Sequence, residues 1–274
     1  MKLVMTLLLR DEEDIVRENL DFHLAQGVDR VIVTDNGSED ATTEILREYE
    51  AQGAVRLLLE PADDYSQGHW VTRMARLAAD EDADWVINND ADEFWWPRSG
   101  TLASTFEGLG DEVGIVVAHR TNFVPRPEDG RSFWERMTAR ERESLNPLGK
   151  PLPPKVAHRA HREITVVQGN HRVEGPELGG RVDDGSIEIL HFPMRTYAQF
   201  ENKIVKGGRA YARNRELPHR TGRTWRRLYE LWEQGKLGDH YDGQVVTGPG
   251  HDDLLEDTRL RDYMRALRAG TTDG

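Results

Sequence analysis

The chain has no cysteine among its 274 residues. Disulfides, cysteine-zinc sites and thiol nucleophiles are therefore excluded, and this composition fits a cytoplasmic protein. Long hydrophobic runs are missing too. The apolar start, Leu3 to Leu9 after Lys2, is far short of the ~20 residues that span a bilayer. It runs straight into Arg10-Asp11-Glu12-Glu13-Asp14 with no small-residue cleavage site, so it does not read as a secretory signal. A soluble protein without a transmembrane segment is expected. No G-x-G-x-x-G or G-x-x-x-x-G-K-[ST] follows the first apolar run, so the dinucleotide and P-loop readings fail. The G-x-S-x-G elbow of serine hydrolases is also missing. Positive charge is in deficit overall: a net charge of −13 argues against nucleic-acid binding.

What is present is globular in composition, with 37% hydrophobic and 31% charged residues. The length allows one large domain or two. Charge is unevenly spread: the segment Arg195 to Arg227 carries ten Lys/Arg against Glu201 and Glu216. A solvated helical face or an anion site would each account for it.

The first 97 residues alternate regularly between strand and helix. Leu3 to Leu9, Val31 to Val33, Val55 to Leu59 and Trp85 to Asn88 are short apolar runs suited to strands buried on both faces. Between them, Asp11 is placed to cap a helix carrying Ile15, Val16, Leu20, Phe22 and Leu24. A second helix starts at Asp40 or Thr42, with Leu46 and Tyr49 inward and Gly53 as its stop. A third carries Trp70, Met74, Leu77 and Ala78. Such alternation predicts an α/β fold, a mostly parallel sheet flanked by helices. After Pro97 the pattern loosens. Val113 to Ala118, Asn122 to Val124, Glu163 to Val167 and Ile187 to Leu190 read as strands. Arg126 to Pro154 reads as a surface excursion with a short helix near Phe133-Trp134, and Tyr197 to Asn214 and Trp225 to Gln234 as helices. The expected organisation is an α/β half at 1–97, a less regular half of the same domain with C-terminal helices at 98–250, and a peripheral acidic tail at 251–274, either a peripheral helix or partly mobile.

In parallel sheets of this kind ligands bind beyond the carboxyl ends of the strands. Three polar clusters fall there: Arg10-Asp11-Glu12, Asp35-Asn36-Gly37-Ser38, and Asn89-Asp90-Ala91-Asp92. Asp90 and Asp92 are two apart, so a continuing extended backbone would send both carboxylates to one side. Two like charges that close call for a cation between them, and a hard divalent ion held by carboxylates and phosphates would satisfy both.

With Arg10-Asp11-Glu12-Glu13, Asp35-Asn36-Gly37-Ser38-Glu39-Asp40 and Asp90-Ala91-Asp92-Glu93-Phe94 in place, the chain resembles GT-A fold glycosyltransferases. It is similar to the family-2-like branch with D-N-G-S-x-D and D-x-D-E-F elements. A later block, His191-Phe192-Pro193-Met194-Arg195 followed by Phe200 and Lys203, also fits. The resemblance implies a nucleotide-sugar donor, UDP-linked by family habit, and Mn²⁺ or Mg²⁺. It puts Asp35 by the nucleobase, Asp90 by the ribose or metal, Asp92 on the metal, and His191 as a third ligand or phosphate contact. Arg10 belongs to the same nucleotide-side cluster. Cations for the leaving diphosphate would come from Arg195 and Lys203 first, then Arg73 and Arg76. Inversion, usual in the family, needs a base for the acceptor hydroxyl; Glu174 is favoured over Asp183, Asp184 and His171. The acceptor, a saccharide or small molecule, is not specified. His158, His161 and His171 match no standard zinc spacing. Trp95 and Trp96 are either sugar-stacking or core aromatics. A nucleotidyltransferase is the alternative enzyme, and a non-catalytic sugar- or nucleotide-binding homologue the non-enzymatic one.

Overall fold

A computed structural model describes residues 1–62, 66–146, 149–213, 222–248 and 252–270. The first part alternates as expected: β1 (Leu3–Leu9), α1 (Val16–Ala25), β2 (Arg30–Asp35), α2 (Thr42–Ala51), β3 (Val55–Leu59), α3 (Gln67–Asp80), β4 (Trp85–Asp90) and β5 (Glu93–Pro97). Next come α4 (Leu102–Glu107), β6 (Val113–Asn122), α5 (Phe133–Arg136), β7 (Ala139–Glu141) and β8 (Lys155–Arg159). Three short strands follow, β9 (Thr165–Val166), β10 (Val173–Glu174) and β11 (Gly180–Val182), and then β12 (Ile187–His191). The rest is α6 (Tyr197–Arg213), α7 (Arg223–Glu233), α8 (Leu237–Asp242), β13 (Leu254–Glu256) and α9 (Arg259–Ala269). No helix among the described residues is long and apolar enough to cross a membrane.

The chain divides into two compact units. The first takes Met1–Ala62, Ser66–Arg120 and Pro153–Leu190; the second takes the described residues from Thr121 to Leu152 and from His191 onward. The terminal residues of β6 and β12 are thus grouped with the second unit.

Among the described residues the main sheet has nine strands in the order β3-β2-β1-β4-β8-β6-β12-β5, with β11 paired to β6. β1 pairs in parallel with β2 and β4, and β2 with β3. Their apolar residues are sealed on both faces; Val4, Ile32 and Val86 meet Val71, Met74, Ala75 and Ala78 of α3. Short helical crossovers, right-handed by rule, take the chain from β1 outward to β3 and then back past β1 to β4. The order reverses between β1 and β4, which opens a crevice at their carboxyl ends. β8 pairs antiparallel with both β4 and β6.

Several local expectations need correction. Asp11 does not cap α1, which starts at Val16 with no side-chain cap; Asp11 has a left-handed φ of 53° instead. Its Oδ1 accepts from the Glu39 amide at 2.7 Å, tying the loop after β1 to the loop after β2. β4 ends at Asp90, and a turn at Ala91-Asp92 leads into β5. The extended backbone that would have aligned Asp90 with Asp92 therefore stops before Asp92. The two strands expected at 113–118 and 122–124 form one continuous β6 through Asn122, and the strand expected at 163–167 shortens to Thr165–Val166. β8 was not assigned from the sequence at all. Of the two alternatives for the tail, the helical one is seen: α9 is a regular helix that buries Leu260 and Met264.

In the second unit, Phe200 and Ile204 of α6 pack with Leu228 of α7 and with Leu237 and Tyr241 of α8. Arg215 and Arg220 of the basic segment lie outside the described residues.

Candidate active site

The strand register fixes what stands at the crevice. Leu9 of β1 is aligned with Asp35 of β2, and Leu8 with Asp90 of β4. Asp35 and Asp90 therefore flank the end of β1, two strand spacings or about 10 Å apart. Arg10 follows β1 on the same edge.

Asp35 is 1% exposed and spends its carboxylate on its own loop. Oδ1 accepts from the Ser38 amide at 3.0 Å and the Ser38 hydroxyl at 2.6 Å; Oδ2 accepts from Thr43 Oγ1 at 2.5 Å. The next residue, Asn36, donates to the carbonyls of Glu60 at 3.0 Å and Ala62 at 2.6 Å. The D-N-G-S run is thus a loop-building unit: short polar side chains replace backbone partners that the turn leaves unmade. Gly37, at φ 68°, supplies the left-handed residue this turn needs.

Asp90 has a partner that sequence reasoning missed. Lys155, the first residue of β8 and 1% exposed, reaches back across 65 residues to pair with Asp90 Oδ2. The same ammonium lies 3.4 Å from Oε1 of Glu93, which is fully buried. Arg120 adds a second cation to Glu93 at 3.2 Å. Asn170, buried and held at φ 62°, donates to Asp90 Oδ1 at 3.1 Å. The cation required beside Asp90 is therefore built into the chain. The only sequence signal for it was a lysine opening the apolar stretch Val156-Ala157 directly after Pro153-Pro154.

His171 stands in the same field. Its Nδ1 donates to the Pro154 carbonyl at 2.9 Å. Burial, reinforced by the positive charges of Lys155 and Arg120, pushes its pKa down to about 4. It is a neutral imidazole at physiological pH.

Asp92 is 5% exposed, and one of its oxygens and one of Glu93 lie within 4.8 Å of each other. Two hard oxygen donors at that separation suit Mg²⁺ or Mn²⁺, whose ligands sit ~2.1 Å from the ion.

The other residues singled out from the sequence are distributed as follows. Arg73 on α3 pairs with Glu60 at 3.2 Å, and Arg76 donates to the Ile164 carbonyl at 2.8 Å. Glu174 stands on β10, in a two-stranded ribbon with β9; its side chain is 53% exposed and 2.5 Å from Arg172. His191 ends β12, where its Nδ1 meets Asn122 Oδ1 at 2.7 Å. Arg195 is fully buried in the second unit and donates to the Phe192 carbonyl at 3.1 Å. Lys203 is half-buried on α6. Trp95 is core, its indole donating to Asn89 Oδ1 at 3.0 Å, while Trp96 is half-buried and stacked on Phe22. His158, His161 and His171 are each bonded to different backbone groups: the Arg159 carbonyl, the Glu163 amide and the Pro154 carbonyl.

Residues 5–160 match the sequence model of glycosyltransferase family 92. No curated protein matches the chain in sequence. Among solved structures, residues 1–349 of TarS from S. aureus, in complex with UDP-GlcNAc, are similar at 13% identity and a TM-score of 0.48. That alignment covers 99% of this chain and 88% of TarS 1–349. Glucosyl-3-phosphoglycerate synthase from Mycobacterium tuberculosis, in complex with Mn²⁺, UDP and phosphoglyceric acid, aligns at 21% identity and a TM-score of 0.32. It covers 43% of each chain. The family match, which takes in β1 to β8, carries the assignment.

Proposed function

Because the chain belongs to glycosyltransferase family 92, we propose that it moves a sugar from a UDP-sugar to an acceptor hydroxyl, with inversion and with a divalent ion. One observation supports this reading above the others. The chain's Asp-x-Asp-Glu element stands at the carboxyl edge where the strand order reverses, with the oxygens of Asp92 and Glu93 close enough to share a cation. This is also the chemistry that family-2-like enzymes would use, and the family assignment decides against the nucleotidyltransferase alternative.

In this reading Asp90 accepts from the donor's ribose hydroxyls. Lys155 and Asn170 hold its carboxylate in place, and 29% of its side chain is still exposed to receive them. Asp35 supports the nucleobase by fixing its own loop. Asp92 and Glu93 would hold Mn²⁺ or Mg²⁺, which as a Lewis acid would stabilise the charge of the departing diphosphate. Arg10, which follows β1 on the edge shared by Asp35 and Asp90, is the cation assigned to the diphosphate. Arg73 is paired with Glu60, and Arg195 is closed off from solvent. No base is assigned, because Glu174 has the surroundings of a surface ion pair.

The test is UDP affinity by calorimetry, with Mn²⁺ and with EDTA. Tighter binding with Mn²⁺ is expected, and Asp92→Asn should remove the difference while the protein stays folded. Equal affinity under both conditions would overturn metal-assisted donor binding.

A further inference from the structure

The loop joining β9 to β10 is built more tightly than a link between two strands of two residues requires. It closes on itself: the Val167 amide donates to the Arg172 carbonyl at 2.9 Å, and the Asn170 amide to the Val167 carbonyl at 3.0 Å. Gly169 (φ 85°) and Asn170 (φ 62°) are both left-handed, a conformation that costs the second of them energy and is sustained by its surroundings. The loop is fastened to α3, where the Gly68 amide donates to Gln168 Oε1 at 2.9 Å and the Gly169 amide to Gln67 Oε1 at 3.2 Å. The Val156 amide, donating to the Asn170 carbonyl at 3.2 Å, fastens it to β8 as well. This scaffold holds two consecutive side chains, Asn170 on Asp90 Oδ1 and the half-buried His171 imidazole next to it. The ring lies across Gly169, where a Cβ would come 2.7 Å from its Nε2. Because Nδ1 donates to Pro154, Nε2 carries a lone pair, and nothing among the described residues donates to it. All of these groups belong to the first compact unit.

Asp90 already has its cation in Lys155, so what its remaining lone pairs can take is a neutral donor. The uncharged His171 ring calls for a neutral donor too. Two neighbouring acceptors are matched by two hydroxyls on adjoining carbons, a vicinal diol. We propose that His171 is a specificity residue for the nucleotide: its Nε2 accepts one hydroxyl of the ribose while the Asp90 carboxylate accepts the other. The pair then selects ribonucleotides, because a deoxynucleotide leaves one acceptor unmet in a partly desolvated place. This inference rests on the assignment of Asp90 to the ribose made above, and adds to it a second reader and a discrimination.

The experiment measures the affinity of the full chain for UDP, 2′-deoxy-UDP and 3′-deoxy-UDP by calorimetry with Mn²⁺ present, in wild type and in His171→Leu. UDP carries no transferred sugar, so an effect seen with it belongs to the ribose. Wild type should bind each deoxy analogue about 3- to 10-fold more weakly than UDP, one loss for each acceptor. His171→Leu should weaken UDP by a similar factor. In that variant one of the two analogues should bind as well as UDP, its missing hydroxyl having lost its reader, while the other keeps its penalty through Asp90. Should the leucine variant fail to fold, wild type alone decides, since indifference to either hydroxyl overturns the pair. Unchanged UDP affinity in a folded His171→Leu protein, or both penalties persisting in it, overturns the role of His171 and leaves the nucleotide reading standing. Absence of UDP binding by wild type overturns that reading and the pair with it.

Discussion

Lys155 shows what one buried charge can decide. At 1% exposure its ammonium is out of water, and only its two carboxylate partners make that placement tolerable. Removing it would leave the buried Glu93 with one cation fewer, and would strip Asp90 of its counter-charge. Lys155→Met is therefore expected to destabilise the protein by about 3–5 kcal/mol, far more than loss of an exposed pair such as Arg172–Glu174. Urea unfolding of the two variants Lys155→Met and Arg172→Met would check the contrast; equal effects would mean that the buried pair is worth no more than a surface one. At this scale the sequence was only partly legible. Asp35, Asp90 and Asp92 announced themselves because they follow apolar runs. Arg120, Lys155 and Asn170 reach the site from positions 27, 65 and 80 residues away in sequence, and nothing local to them predicts that approach.

Strands and helices were legible where burial produces a strong pattern. β1 to β4 are covered on both faces, so their apolar residues run consecutively, and α2 and α3 repeat theirs at helical spacing. β8 escaped notice because Lys155 and His158, both buried, interrupt its apolar residues with polar ones that only partners across the sheet make acceptable. α6 and α7 were readable by periodicity, but the reason for Gly207-Gly208 was not. A Cβ on Gly207 would come 2.4 Å from the Trp225 ring, and one on Gly208 2.5 Å from Tyr229. Replacing a mid-helix glycine by alanine ordinarily stabilises by up to about 1 kcal/mol. At Gly207 the clash reverses that sign: Gly207→Ala should cost about 1–3 kcal/mol, the usual range for overpacking. A thermal melt that shows stabilisation would mean that the α6–α7 contact is looser than described.

For the molecule as a whole, three histidines set an acid limit. His23 is fully buried; its Nδ1 donates to the Asn19 carbonyl at 2.8 Å and its Nε2 accepts from the Trp95 amide at 3.2 Å. Burial pushes the pKa of His23 and His158 down to about 4, as it does for His171. In the unfolded chain the same groups take up protons near pH 6.5. The unfolded state therefore binds more protons between about pH 6.5 and 4, and stability is full above that window and falls through it as acid is added. Each histidine contributes up to about 1.4 kcal/mol per pH unit to that slope. Unfolding free energies measured at pH 7, 6 and 5 should decline with a slope approaching three protons, and a flat profile would show that these rings are not neutral inside. The position of β8 has a consequence for biosynthesis as well. Until β8 is made, β4 has β1 on one side and an open row of amides and carbonyls on the other. The closing partner emerges 65 residues after Asp90. At ~5–20 residues per second the ribosome leaves that edge uncovered for on the order of several seconds. During that interval a nascent chain carries a finished parallel ribbon with an adhesive border, and it is then that this protein is most exposed to pairing with a neighbour on the same messenger.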